Sequence, residues 1–332
     1  MAAKIQAREL RGERKIDIIE EFPRDTPLTM FIEPTNACNF RCVFCPTGHP
    51  KLLREMGRKV QMMNFEMFKG IIDGIAEFPQ PLKMLNLYKD GESLLNPDFT
   101  KMVRYARYMD ISEQIWVKTN GSTLSPETNQ ELIDCGLDMI GISVNGFDAQ
   151  SFFDVTQKRV DYELYRSNLL DLYQRRGDVK ISCKIADTNL TKEQQQKFLD
   201  DFSDRCDYIA IEGLHGWSTS ELYDWKMGTD QSFDGTPRKY KVACPLVLYM
   251  LAVSSNGDVS ICNDDAFHLH QIGNVKDESI TDIWNGERLK KFRMMHLSGR
   301  RNENAACNKC DYMQVLPDNI DEHLDRLLSK LA

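Results

Sequence analysis

Cysteines at 38, 42 and 45 lie within eight residues, in the run Cys38-Asn-Phe-Arg-Cys42-Val-Phe-Cys45. Three thiolates on one short loop can hold three corners of a 4Fe–4S cluster and leave the fourth iron for a ligand other than cysteine. A closed structural zinc site would need a fourth protein ligand, and His49 is the nearby candidate. A second set, Cys244, Cys262, Cys307 and Cys310, spreads four soft ligands over 67 residues near the C-terminus. Four thiols suffice to close an iron–sulfur cluster or to bind zinc in a ribbon-like module. The other three, Cys135, Cys183 and Cys206, are scattered, and a lone free cysteine is usually a small buried hydrophobe.

The rest of the composition fits a redox or metal role for these thiols. The 332 residues carry 42 Lys plus Arg against 50 Asp plus Glu, a net charge of −8. That balance argues against a general polyanion binder, so no nucleic-acid partner is expected. No apolar run reaches the 18 residues of a membrane-spanning helix, and the charged start MAAKIQARELRGERKIDIIE has no signal-peptide core. The expectation is therefore a cytoplasmic protein in a reducing compartment, where ten cysteines are not a disulfide framework.

Something must hold these loops in place. Six short apolar runs, at 28–34, 82–88, 114–119, 138–144, 179–185 and 207–213, read as buried strands. Helical patterns separate them. FEMFKGIIDGIAEF (65–78) is amphipathic, Ser125-Pro126 opens a second helix, and Thr191 caps a third. Strands alternating with helices predict an α/β fold with a parallel sheet; six units fall short of a closed barrel, so a partial (β/α)6 TIM barrel is expected. Residues 247–262 read as a β-hairpin turning at Asn256-Gly257, followed by a helix from Ser279 to near Met295 and an amphipathic C-terminal helix. The expected organisation is a leader helix over 1–25, the barrel over 26–215, a connector over 216–243, a small cysteine domain over 244–315 and a terminal helix over 316–332.

C-x3-C-x2-C directly after the first strand of a βα series resembles the radical S-adenosylmethionine (radical SAM) superfamily. Its members chelate the open iron with S-adenosylmethionine and generate a 5′-deoxyadenosyl radical that abstracts a substrate hydrogen. Asp90-Gly91-Glu92 after the second strand resembles the family's GGE motif, with Asp in place of the first Gly. Thr119-Asn120-Gly121 ends the third strand, and Ser143-Val144-Asn145-Gly146 ends the fourth, resembling S-x-D-G with Asn for Asp. The resemblance implies that Glu92 and Gly91 hold the cofactor's ammonium, that Asn120, Ser143 and Asn145 meet its ribose, that Phe44 packs near adenine, and that Lys184 neutralises its carboxylate. The C-terminal cysteines, with the hairpin and CNKC, are similar to the SPASM/Twitch extension; four cysteines suit the Twitch form with one auxiliary cluster. The spacing C-x17-C-x44-C-x2-C also resembles that of the 2-deoxy-scyllo-inosamine dehydrogenases of aminoglycoside biosynthesis. The implied cofactors are S-adenosylmethionine and two 4Fe–4S clusters, reduced by a flavodoxin or ferredoxin.

Further candidates surround this frame. Glu212, His215 and Trp217 follow the sixth strand; the histidine is a candidate base and the tryptophan a candidate substrate wall. Tyr88 and Asp90 flank the cofactor glutamate and are expected to face the cavity. Strand alternation allows either Cys183, as a hydrogen-atom donor, or Lys184 to point into the barrel, not both; Lys184 is the favoured choice. The leading expectation is oxidation of a carbinol in a carbohydrate or cyclitol, with the auxiliary cluster taking an electron. Epimerisation through a Cys donor, maturation of a ribosomal peptide, and a non-catalytic iron–sulfur or zinc protein are the alternatives.

Overall fold

The computed structural model describes residues 3–5, 16–214, 236–308 and 310–331. All six expected strands form: β2 (Thr29–Ile32), β3 (Met84–Asn86), β4 (Ile115–Thr119), β5 (Met139–Ser143), β6 (Lys180–Asp187) and β7 (Tyr208–Gly213). Each pairs in parallel with the next, as right-handed βα units require. The intervening helices begin where side-chain caps satisfy their free N–H groups. Asn64 caps Phe65–Ile75, Ser125 caps Pro126–Asp134 with Pro at the first turn, and Thr191 forms a capping box with Gln194 on Lys192–Phe202. Phe68, Ile71, Ile72 and Ile75 bury one face of the first of these helices against the sheet. Each such side chain contributes about 1.5–3 kcal/mol by leaving water. The fold is thus the expected partial TIM barrel.

Register assigns the two faces. Phe31, Asn86 and Trp116 are consecutive cross-strand partners, as are Ser143 with Lys184 and Ala186 with Glu212. By period-two alternation Lys118, Ser182, Lys184 and Glu212 share the polar inner face. Met30, Ile32, Leu85, Val117, Ile142, Cys183 and Ile209 lie on the opposite, apolar face.

The sheet also extends beyond the six strands. β8 (Met250–Val253) turns through Gly257, at φ +93°, into antiparallel β9 (Asp258–Ser260), which gives the expected hairpin. β8 additionally pairs in parallel with β2, so the hairpin continues the barrel sheet across the boundary expected at residue 244. All four residues of β8 are buried, as a strand covered on both faces must be. β10 (Gly273–Asn274) closes that edge. At the other, β1 (Lys4–Ile5) pairs with β7, giving the order β1-β7-β6-β5-β4-β3-β2-β8-β9-β10 among the described residues.

Two expectations need correction, and a third falls largely outside the described residues. Of the leader helix expected over 1–25, residues 1–2 and 6–15 lie outside the described residues; Lys4–Ile5 pairs with the free edge of β7 and residues 16–25 hold turns. The helix expected over 279–295 is two, Ile280–Asn285 and Glu287–Leu297, broken where Gly286 is extended at ψ 157°. The terminal helix is confined to Leu324–Ser329, with a 3-10 turn before it. No described helix is long and apolar enough to cross a membrane.

Candidate functional site

The loop after β2 carries Cys38, Cys42 and Cys45 at the C-terminal end of the strands, where barrels of this kind place their chemistry. It is wound tightly: Cys45 N–H donates to the Cys42 carbonyl at 3.0 Å, and Gly48 N–H to that of Cys45 at 2.9 Å. A Cβ on Gly48 would come within 2.2 Å of the Cys42 carbonyl, so glycine is required there. Burial pushes the Cys38 thiol up to about 11, and burial with the neighbouring thiols pushes Cys42 higher still. Iron bonded to these sulfurs would hold them as thiolates despite that burial. The Nε2 of His49 engages the Val43 carbonyl at 2.8 Å.

The Asp90-Gly91-Glu92 loop docks directly on the segment leading to Cys38. A Cβ on Gly91 would lie 2.1 Å from the Thr35 carbonyl, and Glu92 N–H donates to the Ala37 carbonyl at 2.8 Å. Glu92 is 3% exposed. Its carboxylate accepts from the Thr119 hydroxyl and Asn120 N–H, both at 2.7 Å, and from Leu94 N–H at 3.2 Å. Burial raises its pKa. With roughly four acceptor positions on a carboxylate, one remains for a further donor.

The Asn120 side chain donates to Asn39 Oδ1 at 2.8 Å and lies 3.9 Å from Cys38 Sγ. Asn145 Oδ1 is 4.0 Å from Cys42 Sγ, and its amide donates to the Ser143 carbonyl at 2.8 Å. Phe44 is half-buried on the cysteine loop. Asn120 and Asn145 therefore lie against the first cysteines, with Glu92 joined to the Asn120 backbone and the Ser143 carbonyl to the Asn145 amide.

Asp90 sits in a buried charge network instead of an open cavity. It accepts from Lys89 Nζ at 2.6 Å and pairs with Arg58 at 3.1 Å, while Glu33 accepts Asp90 N–H at 3.2 Å. Burial alone pushes the Asp90 carboxyl up; the Lys89 ammonium and Arg58 guanidinium outweigh it and hold the pKa below the ordinary value. Lys89 also donates to the Asp265 carbonyl at 3.1 Å and Arg58 to that of Ala266, so the network ties the Asp90 loop to the C-terminal region.

The inner face of the barrel carries Lys184, which donates to Glu212 at 2.7 Å. Tyr88 packs edge-on against Phe31, with the Lys118 ammonium 5.4 Å from its ring. Lys118 and Trp116 escaped notice in the sequence, although alternation in QIWVKT puts both on one face; the Trp116 Nε1–H is buried without an acceptor. Cys183 is 1% exposed within the apolar core, away from Lys184. His215 and Trp217 lie outside the described residues.

In the C-terminal region Cys244, Cys262 and Cys307 are buried and Cys310 half-buried, all as free thiols. Burial raises each, and their mutual charge adds to it, with Cys310 acting on the other three. Among the described residues no three His, Cys, Asp or Glu side chains converge as ligands of one ion would. A cubane spreads its ligands over separate irons and needs no such common point. Asp264 N–H points at Cys262 Sγ from 3.3 Å. Two histidines missed in the sequence reach Cys307 Sγ, His270 at 3.2 Å and His296 at 3.4 Å. Burial lowers the His296 pKa.

Residues 32–204 match the radical SAM superfamily model, and residues 244–311 match the SPASM iron–sulfur cluster-binding domain. A tungsten-containing aldehyde ferredoxin oxidoreductase cofactor-modifying protein of Pyrococcus furiosus is 25% identical over 311 residues, covering 80% of this chain and 83% of that protein. Among solved structures, anSMEcpe with bound AdoMet superposes with TM-score 0.62 at 14% identity, over 92% of this chain and 97% of that one. BtrN in complex with AdoMet and 2-DOIA superposes with TM-score 0.52 at 16% identity, over 86% and 92% of the two chains. These likenesses at low identity establish a shared fold.

Proposed function

This chain belongs to the radical SAM superfamily, and from that premise we propose that it oxidises a carbinol carbon of a carbohydrate or cyclitol, with its C-terminal cluster receiving an electron. The observation that carries this reading is the set of four free thiols at Cys244, Cys262, Cys307 and Cys310, within the segment matching the iron–sulfur cluster-binding domain. Four protein ligands leave a cubane no open iron, which suits electron transfer better than substrate ligation. BtrN, solved with 2-DOIA, offers a small-molecule precedent on the same fold.

When bound, S-adenosylmethionine and the first cluster would supply radical hydrogen-abstraction chemistry, and the C-terminal cluster would supply a one-electron acceptor. The remaining work falls to this chain. Cys38, Cys42 and Cys45 would hold three irons and leave the fourth for the cofactor. Glu92 fixes the Asn120 loop beside it, and its remaining acceptor position would meet the cofactor's ammonium. Lys184 can turn its second and third protons to the methionine carboxylate while Glu212 keeps the first. Oxidation of a carbinol also requires loss of the hydroxyl proton. Glu212 on the inner face, or His215 just beyond it, would take that proton, making the second electron easier to remove. Tyr88, Trp116 and Lys118 would line the substrate's side of the barrel. A low-potential flavodoxin or ferredoxin would deliver the initiating electron.

A second reading is a larger substrate, a peptide or a group held by another protein. The relative from Pyrococcus furiosus, named as a modifier of another enzyme's cofactor, favours it. Turnover of carbon-deuterated sugars and cyclitols by the anaerobically reconstituted enzyme tests the first reading. The expected result is deuterium in 5′-deoxyadenosine and a ketone product. Cleavage of the cofactor without deuterium transfer from any of them, alongside transfer from a peptide, would reverse the order.

A further inference from the structure

Two imidazoles converge on one thiol in the C-terminal region. The Cys307 sulfur has His270 Nε2 at 3.2 Å and His296 Nε2 at 3.4 Å, and all three residues are at most 6% exposed. The rings are locked from several sides. Phe292 stacks on His296 with centroids 5.0 Å apart and meets His270 edge-on at 5.7 Å. His270 Nδ1 lies 3.0 Å from Asp265 Oδ2. That carboxylate also accepts the backbone N–H groups of Leu269 at 3.0 Å and His270 at 2.9 Å.

Donor and acceptor roles follow from these partners. Cys244 N–H donates to His296 Nδ1 at 3.4 Å. Nδ1 is therefore the acceptor nitrogen, and a neutral ring must carry its proton on Nε2, the atom facing Cys307. Asp265 occupies the Nδ1 side of His270, and a neutral ring with its proton there turns a lone pair, not a donor, toward Cys307. A thiolate bonded to iron has no proton of its own, so the hydrogen bond comes from the ring that carries its N–H on that side, His296. From this geometry we infer that His296 donates an N–H···S hydrogen bond to the Cys307 thiolate and thereby raises the reduction potential of the C-terminal cluster. Hydrogen bonds to cluster sulfurs stabilise the reduced, more negative form.

The first three cysteines meet hydroxyl, amide and backbone N–H groups. Among the described contacts, Cys45 Sγ meets the Thr47 hydroxyl at 2.8 Å, and Cys38 Sγ lies 3.9 Å from the Asn120 amide. The chain thus distinguishes its two cluster sites by the groups around the sulfurs. A higher potential at the C-terminal site is what an acceptor of a substrate-derived electron needs. That significance rests on the oxidative reading above, whereas the donor assignment itself does not.

The test is an EPR-monitored redox titration of the C-terminal cluster in the full-length chain, without substrate. A background with Cys38, Cys42 and Cys45 changed to Ala isolates its signal. His296→Leu should make reduction about tenfold less favourable, a shift of about 59 mV to lower potential for one electron. Iron content should stay at the level of the background. His296→Gln, which can still present an N–H, should recover part of the shift. Resonance Raman should show the Fe–S(Cys) stretch moving in His296→Leu and returning in His296→Gln. An unchanged midpoint in His296→Leu, with iron retained, would overturn the inference. Loss of the cluster in His296→Gln as well as His296→Leu would overturn it in favour of direct ligation or a structural role. A background with neither iron nor signal would instead sink the assignment of a C-terminal cluster, a separate failure.

Discussion

The Thr119 hydroxyl donates to the Glu92 carboxylate at 2.7 Å, joining the loop after β3 to the end of β4. The same carboxylate accepts Asn120 N–H, and Asn120 in turn reaches Asn39 beside Cys38. Glu92 is therefore built into the wall of the cofactor site as well as facing it. Glu92→Ala should weaken S-adenosylmethionine binding by at least about tenfold, since it removes charge-assisted bonds of about 1.5–3 kcal/mol each. Thr119→Val, which leaves the carboxylate, should weaken it less. Equilibrium binding under anaerobic conditions measures both, with iron content unchanged as the control. Equal affinity in Glu92→Ala and wild type would remove Glu92 from the site.

The cysteine groups should load independently. Anaerobic reconstitution is expected to give about eight irons and eight sulfides per chain, two cubanes. Replacing Cys38, Cys42 and Cys45 together should leave about four and abolish cofactor cleavage. Replacing Cys307 and Cys310 together should leave the first cluster and uncoupled cleavage intact. Stoichiometric zinc without sulfide in anaerobically prepared protein would contradict both assignments.

Much of this was legible in the chain because each βα unit is locally consistent. The apolar runs, the N-caps at Ser125 and Thr191 and the loop cysteines all point the same way. What escaped depends on pairing between distant segments. The parallel contact of Met250–Val253 with Thr29–Ile32 leaves no local mark beyond an apolar run. His270 and His296 lie 26 positions apart and meet only because the Glu287–Leu297 helix packs beside Cys307. Gly286 did mark its break, yet the helical pattern on either side outweighed it. Asp90 was read as a cavity residue because nothing in DGE announces that Arg58 and Lys89 will cover it.

That buried network makes a stability prediction. Side-chain exposure is 0% for Lys89, 4% for Asp90 and 5% for Arg58, so Asp90→Asn leaves two cations short of a partner. A loss of about 3–5 kcal/mol is expected by denaturant unfolding at neutral pH. The pH dependence follows from the lowered folded-state pKa of Asp90. Its stabilisation is fully present above the ordinary carboxylate pKa and is lost as pH falls through the lower folded-state value. Asp90→Asn should therefore flatten the acid limb of the stability profile. An acid limb of unchanged slope would show that the network titrates elsewhere.

The placement of Cys183 bears on the choice between oxidation and epimerisation. Both reactions begin by removing a carbon-bound hydrogen, so both put substrate deuterium into 5′-deoxyadenosine. They part at the substrate radical. Oxidation removes one more electron and a proton and gives a product two hydrogens poorer; epimerisation adds a hydrogen atom, usually from a thiol, and leaves the mass unchanged. A thiol donor must reach the radical carbon. Cys183 is 1% exposed in the apolar core, on the face of β6 opposite Lys184, whose ammonium meets Glu212 on the inner face. Strand alternation cannot bring both into the barrel. Cys183→Ala is therefore expected to keep turnover within about threefold of wild type, with at most the modest stability cost of a shortened core side chain. Glu212→Gln, which removes a proton acceptor from the inner face, should slow product formation more than it slows cofactor cleavage, and mass spectrometry should find a product about two mass units lighter than the substrate. A product of unchanged mass that gains solvent deuterium at carbon, together with an inactive but folded Cys183→Ala, would reverse this choice and make the thiol the hydrogen donor.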